Sequence, residues 1–212
     1  MPATGNKPPI QMFLPPETLA MLASFQGELP DRLVLKQDML VLFSDMRGFT
    51  ELSERMPAEE VYRLLHASME LQARFVHRYG GSINKFLGDG LLACFSGEDK
   101  ALRAVRCVRA LLRALTPRAG RDAACRVGFG MHSGQVLFGI IGDDARREFA
   151  LIGDVVNTAA RLCGLARPFQ ALTTAAVFQA LPEDVRCAYL RPQGKTAFRG
   201  KKERMDVYSL VP

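Results

Sequence analysis

Hydrophobic and polar residues along the chain follow patterns that switch between the periods of strands and helices. A continuous apolar run at 39–44 has the length of a buried strand. From Pro57 onward apolar residues recur every three or four positions, which predicts an amphipathic helix ending at a Gly-Gly pair. Two apolar segments, 82–86 and 91–95, then flank a Gly-Asp-Gly sequence typical of a tight hairpin turn. The first half of the domain is therefore predicted to run β-α-β-β.

The second half continues with a helix and further strands. Residues 100–115 place arginines opposite apolar positions at helical spacing, and 117–120 are expected to end that helix. Strands are predicted at 126–132 and 135–141, on either side of a Ser-Gly pair. The order β-α-β-β-α-β predicts an α+β fold with a ferredoxin-like core and a C-terminal extension. The extension is predicted to contain a strand at 149–152, a helix at 154–166, a short helix at 175–181 and terminal strands.

The N-terminal residues differ from the rest of the chain. Residues 1–9 are polar and contain several prolines, which is typical of disorder, and 15–25 have the pattern of a short helix. We therefore expect an N-terminal extension over 1–36 and one globular domain over 37–212. A chain of 212 residues with 48% hydrophobic residues is long enough to bury the core of such a domain.

Charge and apolar content argue against two classes of partner, nucleic acids and membranes. The net charge is +6, and much of the excess is arginine on one face of the helix at 100–115. We interpret that face as solvated, because no aromatic residues are interleaved with the arginines to stack on bases; nucleic-acid binding is not expected. No apolar stretch is long enough for a membrane span, so membrane insertion is not expected either.

The chain contains five cysteines, which is an odd number, and they are widely spaced. Neither a disulfide framework nor a metal-binding pair is indicated by that spacing. Free thiols in a reducing, cytoplasmic environment are the simplest interpretation.

Two aspartates carry the candidate chemistry. Asp45 directly follows the first strand and Asp89 lies in the hairpin turn. In a ferredoxin-like sheet these elements are neighbours, so their carboxylates can meet, and they then repel unless a cation neutralises them. Oxygen ligands favour Mg²⁺ or Mn²⁺, and two such ions about 3.5–4 Å apart can activate an attacking oxygen and stabilise a leaving one. Taken singly, each aspartate is equally typical of a cap or a turn.

Five segments, in order over about residues 37–210, resemble motifs of the class III adenylate and guanylate cyclase catalytic domain. They are 43–50 (FSDMRGFT), 85–90 (KFLGDG), 126–134 (RVGFGMHSG), 152–161 (IGDVVNTAAR) and 199–201 (RGK). The resemblance implies a lyase that forms a 3′,5′-cyclic nucleotide and pyrophosphate from a nucleoside triphosphate.

The roles of individual residues follow from matching those motifs. The resemblance implies that Asp45 and Asp89 ligate two Mg²⁺ or Mn²⁺ ions, with the Met46 carbonyl as an additional ligand. Asn157 would orient the ribose and Arg161 would donate to the α-phosphate, which makes them the implied catalytic residues. Substrate binding is assigned to Phe49, Thr50, Lys85, Arg126 and Lys201 within the motifs, with Arg126 and Lys201 on the terminal phosphates, and to Ala150 at the family's base-partner position.

The base-binding positions are where the chain departs from the family. Adenylate cyclases resemble this chain in having a lysine at the position of Lys85, but they pair it with an aspartate or threonine where this chain has Ala150. Guanylate cyclases typically have a glutamate in place of Lys85. ATP is therefore the expected substrate, and a backbone carbonyl, a water molecule or a neighbour such as Thr50 could supply the missing acceptor. The alternative is a pyrimidine triphosphate, because short cyclases of anti-phage defence that make cyclic UMP or cyclic CMP resemble this chain in size.

The resemblance also implies a symmetric homodimer. In the family, the metal-binding aspartates and the Asn/Arg pair of one active site come from different chains, and this chain has both sets. An alternative of another class is a non-catalytic cyclase-like module that binds nucleotide or only dimerises. Loss of Asp45, Asp89, Asn157 or Arg161 would mark such a module, and all four are present. A diguanylate-type enzyme is disfavoured because the hairpin reads Gly-Asp-Gly-Leu-Leu.

Overall fold

The structure is a computed structural model that describes residues 34–119, 126–143, 147–198, 200–201 and 203–212. The short helix expected near the N-terminus lies outside these residues, whereas residues 34–36 already belong to the first strand. The described strands are β1 (Val34–Met46), β2 (Ser82–Leu87), β3 (Gly90–Ser96), β4 (Val127–Gly142), β5 (Arg147–Ile152), β6 (Ala171–Thr174), β7 (Leu190–Thr196) and β8 (Met205–Leu210). The described helices are α1 (Phe49–Arg55), α2 (Ala58–Arg78), α3 (Lys100–Ala119), α4 (Asp154–Leu165), α5 (Ala175–Gln179) and α6 (Glu183–Tyr189).

All eight described strands form one sheet in the order β2-β3-β1-β4-β6-β8-β7, with β5 paired to the outer half of β4. β1 lies between β3 and β4 and is antiparallel to both. The predicted β-α-β-β-α-β core is therefore confirmed, and the strand that ends at Asp45 lies inside the sheet rather than at its edge.

The two faces of β1 pack against different layers, because side chains alternate along a strand. Leu40 and Leu42 face a core that includes the apolar sides of α2 and α3. Met39 and Val41 face a second core, to which α4 and the β4–β5 ribbon contribute residues such as Ala159. The continuous apolar run at 39–44 is thus explained by burial on both faces of one strand.

Several elements differ from the sequence predictions. β4 is one strand from 127 to 142 rather than two, because its pairing with β1 continues through Ser133 and Gly134 without a break. Helix α3 continues past Pro117 to Ala119. Strand β6, which runs parallel to β4, and the short helices α1 and α6 were not predicted.

The arginine face of α3 is partly structural rather than simply solvated. The Arg103 guanidinium donates from Nη1 to the carbonyl oxygen of Gly80, at 2.5 Å, and from Nη2 to that of Ser96. The Arg109 guanidinium lies 4.0 Å from the ring centre of Tyr189. These contacts connect α3 to the end of α2, to β3 and to α6.

No helix in the described parts of the chain is both long enough and apolar enough to cross a membrane. Cys107, Cys163 and Cys187 are free thiols, and the first two are buried. Burial raises the pKa of both the Cys107 and the Cys163 thiol to about 12, so neither is a nucleophile at neutral pH.

Candidate active site

The sheet brings the two aspartates together as the sequence predicted. Asp45 at the end of β1 pairs with Gly90, the first residue of β3, and Asp89 is the residue immediately before it. The Met46 amide donates to the Asp89 carbonyl oxygen at 3.2 Å. This approach requires glycine at position 90, because a Cβ there would overlap the carbonyl oxygen of Ser44. The two-residue turn of Gly88 and Asp89 therefore lies against the end of β1.

Electrostatics indicate negative charge at this point that Arg47 compensates only in part. Partial burial raises the pKa of Asp45 above its usual value, the charge of Asp89 raises it further, and Arg47 opposes both effects. A divalent cation would relieve this repulsion, and carboxylate oxygens are the ligands that Mg²⁺ and Mn²⁺ prefer. The residues present therefore fit such an ion.

The acidic donors at this site are few. The described residues contain no cluster of three or more His, Cys, Asp or Glu side chains, so further ligands for a cation would come from main-chain oxygens, water or substrate. Met46 has a buried side chain, which leaves its main chain as the group that could contribute. Arg126 directly precedes β4, and its carbonyl oxygen accepts a 2.7 Å hydrogen bond from the Arg47 amide. We call Asp45, Asp89 and Arg126 the aspartate group.

A second set of candidate residues lies around α4. Asn157 is exposed and Arg161 is partly buried, one helical turn apart. Lys201, from the loop before β8, forms an ion pair with Asp154 at the start of α4. A Cβ built on Gly200 would lie 3.6 Å from Nη2 of Arg161, so the same loop also passes Arg161. We call Asn157, Arg161 and Lys201 the helix group.

The position of α4 on the sheet is set by Gly130 in β4. A Cβ at this position would overlap the Cys163 amide nitrogen and the Ala159 carbonyl oxygen, and it would lie 2.7 Å from the Cys163 Cα. The helix backbone therefore packs directly onto the strand. This close approach determines where the helix group stands relative to the sheet.

At the expected base-binding positions the structure adds a residue that sequence reasoning missed. Lys85 on β2 forms a 2.7 Å ion pair with Glu148 on β5. Glu148 and Ala150 are two residues apart on one strand and point to the same face. Lys85 thus lies beside the strand that carries Ala150, as the resemblance implied, and a carboxylate acceptor is present there after all.

Phe49 and Thr50 begin helix α1, shortly after the end of β1. The Phe49 side chain is partly buried and packs against the core shared with α2 and α3. Thr50 is exposed, and its carbonyl oxygen accepts a 2.8 Å hydrogen bond from the Ser53 hydroxyl. The helix thus keeps Phe49 in the core and leaves the Thr50 side chain accessible.

His132 is buried in β4, and its Nδ1 lies 2.7 Å from the Thr174 hydroxyl. Burial first, and the charge of Lys201 second, lower the pKa of His132 to about 4, and the charge of Asp154 opposes them in part. Because the folded-state pKa lies below the unfolded value of 6.5, the unfolded chain alone takes up this proton between pH 6.5 and 4. The free energy of unfolding is therefore unaffected by protonation of His132 above pH 6.5. It decreases as the pH falls from 6.5 to about 4, because protonation of His132 favours the unfolded chain.

We expect urea unfolding midpoints of the wild type to fall more steeply between pH 6.5 and about pH 4 than those of His132→Asn. The comparison uses the slopes against pH, since the substitution also removes the Thr174 contact. Equal slopes for the wild type and His132→Asn would contradict a buried, neutral His132. So would NMR spectra in which the His132 imidazole titrates near pH 6.5.

Comparison with known proteins places these features in a family. The family model described as the adenylate and guanylate cyclase catalytic domain matches residues 34–212. An adenylate cyclase of Anabaena cylindrica is 31% identical over 184 residues, covering 81% of this chain and 36% of that protein. The terminal-differentiation-specific adenylate cyclase of Dictyostelium discoideum is 27% identical over 183 residues, covering 82% of this chain and 9% of that protein. The chain thus spans about a third or less of these two relatives.

Solved structures agree with the sequence match. The adenylyl cyclase CyaB from P. aeruginosa superimposes with a TM-score of 0.77 at 26% identity, covering 85% of this chain and 96% of that one. The guanylyl cyclase Cya2 superimposes with a TM-score of 0.73 at 27% identity, covering 83% of this chain and 92% of that one. The fold, the adjacent aspartates and the family match agree: the chain belongs to the class III adenylate and guanylate cyclase catalytic domain family.

Proposed function

We propose that this domain converts a nucleoside triphosphate, with ATP as the expected substrate, into a 3′,5′-cyclic nucleotide and pyrophosphate. The observation that carries the proposal is the adjacency of Asp45 and Asp89, whose mutual repulsion a cation would relieve. The chain also retains Asn157 and Arg161 on a helix fixed against the sheet. Catalysis of this kind depends on positioning and charge stabilisation rather than on a covalent intermediate.

In the proposed reaction the 3′-hydroxyl oxygen attacks the α-phosphorus and its proton passes to solvent. The bond between the α-phosphorus and the oxygen that bridges to the β-phosphate breaks, and pyrophosphate leaves. Asp45, Asp89 and the Met46 carbonyl would hold two Mg²⁺ or Mn²⁺ ions, which when bound neutralise phosphate charge and acidify the attacking hydroxyl. Arg126 and Lys201 bind the terminal phosphates, and Asn157 orients the ribose. Arg161 pairs with the α-phosphate oxygens as their charge builds, for which a planar guanidinium is suited.

We further propose a homodimer in which the aspartate group of one chain faces the helix group of its partner. Exposed apolar side chains support a second copy as partner. Phe86 and Leu87 lie on the hairpin that leads to Asp89, and Leu137, Ile141 and Ile152 lie on the β4–β5 ribbon. Leu137 and Ile152 are opposite each other across the ribbon, so they form one patch.

ATP is supported by the charges at the base-binding positions. Adenine presents a ring nitrogen acceptor beside an amino donor, and Lys85 with Glu148 offers the complementary donor and acceptor. Glu148 would thus replace the acceptor that Ala150 lacks. Cytosine presents a similar donor and acceptor pair, and Ala150 lacks the acceptor that adenylate cyclases have at this position, so a pyrimidine cyclase that acts in anti-phage defence is the second candidate.

We expect Lys85→Ala and Glu148→Ala each to reduce kcat/KM for ATP by about tenfold or more relative to the other three triphosphates, because each leaves a polar base edge unpaired. The measurement incubates the protein with each of four triphosphates and Mn²⁺, and quantifies pyrophosphate and cyclic products. Lys100→Ala is the matched control, since Lys100 at the start of α3 forms a comparable 2.9 Å ion pair with Asp38 on β1. Exclusive formation of cyclic UMP or cyclic CMP would overturn the ATP assignment, and no cyclic product from any triphosphate would overturn the proposed function.

A further inference from the structure

Arg47, two residues after Asp45, is held between the end of β1 and helix α4. Its Nη1 lies 2.5 Å from Oδ2 of Asp45, and its Nη2 donates to the main-chain carbonyl oxygen of Cys163 on α4. One guanidinium therefore contacts both a residue of the aspartate group and the helix that carries the helix group. Asp45 is 2 positions and Cys163 is 116 positions away from Arg47 in the sequence.

The surroundings of Arg47 are built to admit this arrangement. The guanidinium lies over Gly128, where a Cβ would approach its Nη2 to 2.7 Å and its Nε to 2.8 Å. The Nε atom is buried and finds no hydrogen-bond partner among the described residues, which is unfavourable for a charged group. The Arg47 side chain is 21% exposed and that of Asp45 is 40% exposed, so the pair is only partly solvated.

We propose that Arg47 is a positioning residue that holds the Asp45 carboxylate through one oxygen, leaves the other for a cation, and ties it to α4. The inference rests on the proposed function for the role of Asp45. The fork of the guanidinium is essential to it, because two separate nitrogen atoms reach two acceptors on different elements. A lysine ammonium is a single charged point and cannot reproduce both contacts in the same geometry.

The charge and the geometry of Arg47 act in opposite directions. Its positive charge opposes a divalent cation at Asp45, so removing the charge should strengthen cation binding. Its two hydrogen bonds fix the carboxylate and α4, so removing them should slow turnover, since small displacements in an active site are costly. A residue with a merely structural role would weaken cation binding and turnover together.

The test measures Mn²⁺ binding by electron paramagnetic resonance without nucleotide, and kcat with ATP, for Arg47→Gln and Arg47→Lys. We expect Arg47→Gln to lower the Mn²⁺ Kd by about three- to tenfold while kcat falls by about tenfold or more. Arg47→Lys keeps the charge, so its Mn²⁺ Kd should stay within about twofold of wild type while kcat falls similarly. Arg74→Gln, which removes an exposed arginine paired with Glu70, is the control and should change neither quantity.

Wild-type kcat in either variant, or weaker Mn²⁺ binding by Arg47→Gln, would overturn the proposal. If Arg47→Gln fails to fold, as judged by its thermal transition, Arg47→Lys still tests the positioning role. That role predicts an unchanged Mn²⁺ Kd together with a reduced kcat for Arg47→Lys. The two proposals fail separately: a wild type that binds Mn²⁺ but forms no cyclic product overturns the cyclase function, whereas the order of Mn²⁺ affinities among the variants still tests Arg47.

Discussion

Asp45→Ala and Arg161→Ala should each lose at least about 100-fold in activity, and an equimolar mixture of the two inactive proteins should recover about a quarter of wild-type activity. Each substitution removes one half of every site in its own homodimer. Random exchange makes about half of the dimers mixed, and a mixed dimer has one site with both halves intact. The recovery therefore reports directly on sites shared between chains.

The measurement is cyclic nucleotide formation after the two proteins have exchanged subunits, with dimers verified by light scattering. Asp45→Ala mixed with Asp89→Ala is the matched control, because both substitutions damage the aspartate group and every mixed site keeps one defect. That pair should not recover. Activity that stays absent in the Asp45→Ala and Arg161→Ala mixture, despite proven mixed dimers, would contradict the shared-site arrangement.

Gly130→Ala should reduce the free energy of unfolding by about 2–3 kcal/mol and kcat by about 100-fold. A Cβ at position 130 overlaps backbone atoms of α4 that cannot move as a flexible side chain can, so the whole helix must shift. Asn157 and Arg161 shift with it. The effect on kcat should therefore exceed the effect on ATP binding, because the α-phosphate contact matters most as charge develops there.

Gly164→Ala supplies the control within the same helix. A Cβ at Gly164 meets no atom within 4 Å, and the residue is exposed. This substitution should leave kcat unchanged and stabilise the protein by up to about 1 kcal/mol through helix propensity. Urea unfolding and steady-state kinetics on both variants make the comparison. A Gly130→Ala protein that matches Gly164→Ala in both measurements would show that α4 is not held by this close approach.

The core fold and the aspartate pair were accessible from the sequence because their signals are local. The hairpin turn around Asp89 and the apolar strand before Asp45 are each encoded within a few residues, and strand order in a ferredoxin-like core then makes them neighbours. The single long strand β4 was missed because a Ser-Gly pair indicates a turn locally, whereas continuous pairing with β1 keeps it extended. Strand β6 was missed because its four residues pair with β4 only after a long crossover.

The remaining features depend on contacts between residues far apart in the chain. Local sequence was sufficient for the element order of the core, the adjacency of Asp45 and Asp89 and the family motifs. The Lys85–Glu148 pair joins residues 63 positions apart, and the Arg47–Cys163 contact joins residues 116 positions apart. Neither leaves a periodic or turn signal, because such pairs arise only when β2 meets β5 and when α4 packs onto Gly130 in the folded chain. Tertiary packing therefore placed a carboxylate beside Lys85, at the proposed base-binding positions, where Ala150 had left the sequence without an acceptor.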